Sequence, residues 1–154
     1  MPYDLGANHP GTRLGPRDVR AKSSVVRKQN QATGVRPFDL CRVADVGDAW
    51  VERTYGLQQP GVPPPAGSPP PEPRDALRSS HDEIQGFYNA VCDAGASPVS
   101  VGGDHSVSLP ILRAMRRAVG RPLAMVHFDA HMDTAPPDEV FAAVGCVFTP
   151  RIWM

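Results

Sequence analysis

The chain has 154 residues, one domain's length, and its 16 basic and 16 acidic side chains leave a formal net charge of zero. That balance excludes the strongly basic surface that would recruit nucleic acid or an anionic membrane, so neither is expected as a partner. A hydrophobic content of 41% permits a core, but no apolar run reaches the length of a membrane span, and the N-terminus lacks a signal peptide's basic-then-apolar order. Cys41, Cys92 and Cys146 are odd in number and far apart, which suits reduced thiols in a cytoplasmic protein better than zinc or a disulfide framework.

Gly6, Gly11 and Gly15 punctuate the opening loop, yet neither G-x-G-x-x-G nor G-K-[ST] is present, which argues against nucleotide binding. Pro16 before Arg17-Asp18-Val19 reads as a helix start. The spacing predicts a basic, weakly amphipathic helix over 17–30, with Val19 and Val26 on one side. Arg20, Lys22, Arg27 and Lys28 make its solvated face. Leu40–Val46 reads as a short strand running into Gly47-Asp48, where Asp45 and Asp48 suit a turn because Asp side chains bond nearby backbone. Gln59–Pro73 holds eight of the eighteen prolines and a single charged residue, Glu72, so an extended loop is expected there. A helix over roughly Asp75–Ala94 follows, with Ile84, Phe87 or Tyr88, and Val91 as its buried stripe and Gly95 as its stop.

Val101–Thr134 carries most of the interpretable chemistry. The apolar runs Pro98–Val101 and Pro122–Phe128 end in Gly102-Gly103-Asp104-His105 and in Asp129-Ala130-His131-Met132-Asp133. Between them Leu109, Leu112, Met115 and Val119 recur at helical spacing. Strand, helix, strand is a βαβ unit with parallel strands, so His105 and Asp129 both emerge at one sheet edge, where open α/β sheets place ligands. In extended backbone Asp129, His131 and Asp133 face the same way. With His105 they form a mixed oxygen and nitrogen donor set without thiolate, for which Mn²⁺ is a good candidate. Without metal the two carboxylates repel, and at least one is expected to titrate above its ordinary value. The bland alternative is that these are polar residues capping two strands.

The wording GGDHS followed by HFDAHMDT resembles the ureohydrolase family of arginases, agmatinases and guanidinobutyrases, with the agmatinase-like branch closest. The resemblance implies a three-layer α/β arginase-like fold around a parallel sheet. It also implies hydrolysis of a guanidino substrate, such as agmatine or a guanidino acid, to urea and an amine, with two Mn²⁺ ions as cofactor. It assigns His105, Asp129, His131 and Asp133 as metal ligands, Asp129 bridging the ions, with His127 and Asp104 in support. No catalytic residue beyond these ligands is assigned. The first loop, Gly11-Thr12-Arg13-Leu14-Gly15-Pro16, and the Asp45–Asp48 turn also match family wording.

The matching region is residues 1–134 with the proline-rich insert at 59–73; residues 135–154 form an unmatched tail. Relatives place a buried strand before Pro-Tyr-Asp and an Asp-x-Asp ligand pair far downstream, neither of which is found here. The fold is therefore expected to be incomplete, open-edged and prone to form a homo-oligomer. Two further readings follow: a non-catalytic fragment that binds metal weakly, and another dinuclear hydrolase such as a phosphoesterase, which the pairing of GGDH with DAHxD disfavours.

Overall fold

Pro16 starts the first helix as its position predicts, since a missing N–H costs nothing in the first turn. The computed structural model describes residues 1–7, 11–49, 51, 73–131 and 133. A 3-10 turn at Thr12–Leu14 leads into α1, Gly15–Ser23. The helix expected over 17–30 thus ends early. Its Ser23 and Ser24 hydroxyls donate back to the Arg20 and Ala21 carbonyls, and apart from Pro16 it buries nothing to extend it. Arg20 does not remain a free solvated charge; it grips Asp45 through Nε and Nη2 and Asp48 through Nη1.

α2, Pro37–Leu40, is a single turn that takes up the first residue of the strand expected at Leu40–Val46. The remainder of that segment is exposed, and neither 98–101 nor 122–128 completes a regular ladder, so no strand forms among the described residues. Alternating apolar residues supply a face for a sheet, but only a hydrogen-bonded ladder makes a strand. Asp45 behaves as a turn residue, accepting the Gly47 amide at 2.9 Å while Gly47 takes φ +86°.

α3, Pro73–Asp93, matches the expected long helix within two residues. Ile84 and Tyr88 are buried, Phe87 packs edge-on against Tyr88, and Val91 is half-buried. Gly95, at φ +71°, ends it through an N–H bond to the Cys92 carbonyl. The proline-rich 59–73 segment, apart from Pro73, and the 135–154 tail lie outside the described residues.

α4, Ser108–Val119, packs on α3. Its buried line is not the large-residue stripe expected: Pro110 and Ala114 are sealed, Leu109, Leu112 and Met115 are half-buried, and Val119 is exposed. Ala114, fully buried, lets the two helices approach closely, which a count of large side chains does not register. Arg117 ties the pair at the rim, donating to Asn89 Oδ1 at 2.8 Å and to the Asp93 carboxylate. Tyr3, Ala49, Val51, Val107 and Met1 complete the core around Ile84, Tyr88 and Ala114. Among the described residues no helix is long and apolar enough to cross a membrane.

The N-terminal segment reaches this core beside residues 101–104. Met1 N–H donates to the Val101 carbonyl at 2.8 Å, and Gly103 N–H donates to the Met1 carbonyl at 3.2 Å. That is the bonding of a parallel pair, continued irregularly by Asp104 N–H to the Tyr3 carbonyl at 2.9 Å. Gly103 is required by this approach, because a Cβ there would collide with the Tyr3 backbone.

Candidate metal centre

His105 stands in a 3-10 turn, His105–Val107, that Asp104 caps and α4 continues. Asp104 is buried. Its Oδ1 accepts the Ser106 amide at 2.9 Å and the Ser106 hydroxyl, and its Oδ2 accepts the Gly6 amide at 2.6 Å. Burial pushes the Asp104 carboxyl up, against the opposing pull of the Ser106 and Gly6 donors. The first loop has a second carboxylate anchor: Asp4, also buried, accepts from Gly11 N–H and from Arg13 Nη1, each at 2.7 Å.

From this turn His105 meets the end of the 122–131 segment. Its Nδ1 lies 2.8 Å from Asp133 Oδ2 and 3.6 Å from Asp129 Oδ2, and His127 Nε2 lies 3.5 Å from the same Asp129 oxygen. One donor atom from each of His105, His127, Asp129 and Asp133 falls within 4.8 Å of the others. Asp133 Oδ2 is sealed from solvent and accepts no properly aligned hydrogen bond despite its nearness to His105. A sealed anionic oxygen among imidazole nitrogens is a fitting place for a divalent cation.

The site differs from simple alternation in one respect. Of the four sequence-assigned ligands, His105, Asp129 and Asp133 converge, while the His131 side chain is 82% exposed and falls outside that group, its Nδ1 3.7 Å from Asp129 Oδ1. The backbone explains this: Asp129 Oδ1 accepts the His131 amide at 3.1 Å, and Asp133 adopts φ +51°. The chain turns here instead of running extended, so the period of two is lost. His127, marked in the sequence only as a supporting residue, fills the place in the group. The repulsion expected between the carboxylates does not raise Asp129. The His131 amide and then the nearby His105 hold it below the usual carboxylate range.

The arginase family's sequence profile matches residues 1–152 of this chain. This protein belongs to the arginase family. Guanidinopropionase of Pseudomonas aeruginosa is 46% identical over 135 residues, covering 87% of this chain and 35% of that protein. Guanidinobutyrase of the same organism is 37% identical over 134 residues, 86% of this chain and 35% of the relative. Mitochondrial agmatinase of Gallus gallus is 39% identical over 136 residues, with 88% and 34% covered. The chain thus spans about a third of the length of these arginase-family relatives, all named for action on guanidino compounds.

Proposed function

We propose that the chain serves a manganese-dependent hydrolase that cleaves a guanidino compound to urea and an amine, in the cytoplasm. A guanidino acid is favoured over agmatine because the relative at 46% identity is named a guanidinopropionase. In this reading His105, Asp129, His131 and Asp133 would hold two Mn²⁺ ions, Asp129 serving both, with His127 in support. One observation carries it: the two Asp129 oxygens face different histidines. Oδ2 lies 3.6 Å from His105 and 3.5 Å from His127, whereas Oδ1 lies 3.7 Å from His131 Nδ1. A carboxylate with imidazoles on both sides is disposed to bridge.

Bound there, paired Mn²⁺ would lower the pKa of a water molecule and polarise the group under attack. The chain's own residues supply the rest. Asp129 and Asp133 supply the carboxylate oxygens that would draw a cation, and the His105 imidazole offers a nitrogen beside them at the start of α4. The architecture proposed around the site is the three-layer parallel sheet of the family, and the Met1–Val101 and Gly103–Met1 bonds support it. We assign residues 1–134 to this unit, with 59–73 as an insert and 135–154 as a tail, although the family match continues to residue 152.

The test joins residues 1–134 to the remaining portion of the P. aeruginosa guanidinopropionase and measures urea from 3-guanidinopropionate, 4-guanidinobutyrate and agmatine. Turnover abolished by His131→Ala is expected. A folded, Mn²⁺-loaded chimera that releases no urea would sink the hydrolase reading and leave a non-catalytic metal-binding role. Preference for agmatine would overturn only the substrate assignment.

A further inference from the structure

The turn that presents His105 is three residues long and has few bonds of its own to hold it. It is gripped from outside instead. Residues 103–106 receive the N-terminal segment along one side: Gly103 N–H meets the Met1 carbonyl, Asp104 N–H meets the Tyr3 carbonyl, and Asp104 Oδ2 takes the Gly6 amide at 2.6 Å. The fit at Gly6 has no slack. A Cβ on Gly6 would stand 2.8 Å from Ser106 Oγ and 3.0 Å from both Asp104 carboxylate oxygens. His105 lies in sequence between the two residues that this glycine touches.

We infer that Gly6, Asp104 and Ser106 form a clamp that positions His105, so that the loop of residues 2–7 sets the cation affinity of a site built about a hundred residues away. The inference rests on the metal-site reading above. Asp104 and Gly6 are positioning residues and touch no metal. Their effect passes through the place and freedom of the His105 imidazole, as partners that orient a ligand commonly do.

The experiment uses the full chain and titrates it with Mn²⁺, following loss of the free-ion electron paramagnetic resonance signal. Gly6→Ala and Asp104→Asn should each weaken binding by at least about tenfold. Ile84→Val, a core change that leaves Gly6, Asp104 and Ser106 intact, is the control for stability lost in general, and should leave affinity within about twofold once folded protein is counted. A second readout needs no metal: carbethoxylation of His105 by diethyl pyrocarbonate, quantified by mass spectrometry against the exposed His131. Freed of its clamp, His105 should react about threefold faster or more in Gly6→Ala and Asp104→Asn, but not in Ile84→Val. If Gly6→Ala fails to fold, Ser106→Ala removes one donor without adding bulk and should move both readouts in the same direction. Wild type that ignores Mn²⁺ while the reactivity shift appears would remove the metal reading and keep the clamp. Reactivity and affinity in the clamp variants equal to those in Ile84→Val would overturn it.

Discussion

The Tyr3 ring stands 6.4 Å from the imidazole of His81, tilted by 45°, where the N-terminal segment meets α3. His81 is 8% exposed, its Nε2 has no hydrogen-bond partner, and burial, aided by Arg113, lowers its pKa to about 4. The folded state therefore holds this histidine neutral. Above the unfolded value of about 6.5 neither state binds the proton and stability is unaffected. As pH falls from there the unfolded chain takes up a proton that the folded chain refuses. Stability should drop toward pH 4 by something on the order of 3 kcal/mol, then level off. Urea midpoints measured across pH 4–7 should show the slope, and His81→Phe should flatten it; an unchanged slope in the variant would exclude His81 as its source.

Gly103 and Gly86 should respond oppositely to alanine. A Cβ on Gly103 meets the Tyr3 backbone, which can move only by giving up its bonds to residues 103 and 104, so a loss of about 1–3 kcal/mol or more is expected. Gly86 is exposed within α3 with open space around it, so alanine there should stabilise by about 0.5–1 kcal/mol. Denaturant unfolding of both variants reads the contrast directly.

Ile84 is fully buried where α3 meets α4 and the N-terminal segment. Truncation to alanine leaves a cavity bounded by both helices and should cost about 2–5 kcal/mol. A thermal midpoint close to that of wild type would mean that this contact is not the centre of the core.

Metal affinity separates two ligand sets. His105→Ala and Asp129→Ala should each lower Mn²⁺ affinity at least about tenfold by calorimetry, since both belong to either set. His131→Ala should do the same if Asp129 bridges two ions, and should do little if the ion is held by His105, His127, Asp129 and Asp133 alone. Conversely, a loss on His127→Ala equal to that of His105→Ala would move His127 from support to ligand.

The site was legible wherever chemistry depends on residue identity. GGDH and DAHMD drew attention to His105, Asp129 and Asp133, which the fold brings together. The departure of His131 was not legible, because it follows from how the backbone turns after Asp129, and a side chain bonding an amide two residues on is invisible to periodicity. His127, two residues before Asp129, lies on the same face by the alternation itself. Helix boundaries near proline and glycine were also readable: Pro16 and Gly95 act through local backbone geometry. The extent of α1 was not, because basic residues without a buried face give no tertiary reason to continue. The strands were least accessible. Their side-chain pattern is local, but their existence depends on partners elsewhere in the chain.

The pairing of Met1 with Val101 and of Gly6 with Asp104 also bears on how fast the molecule can assemble. Helices α3 and α4 close over short sequence distances, whereas these bonds join ends separated by 100 and 98 residues. Long loop closure is slow to be rewarded, so helix signal should precede burial of Tyr3 in a refolding experiment. His105 would then acquire its final orientation late, after the helical scaffold has formed. A cation offered early in refolding would meet loosely placed donors, and tight uptake would follow the arrival of the distant loop.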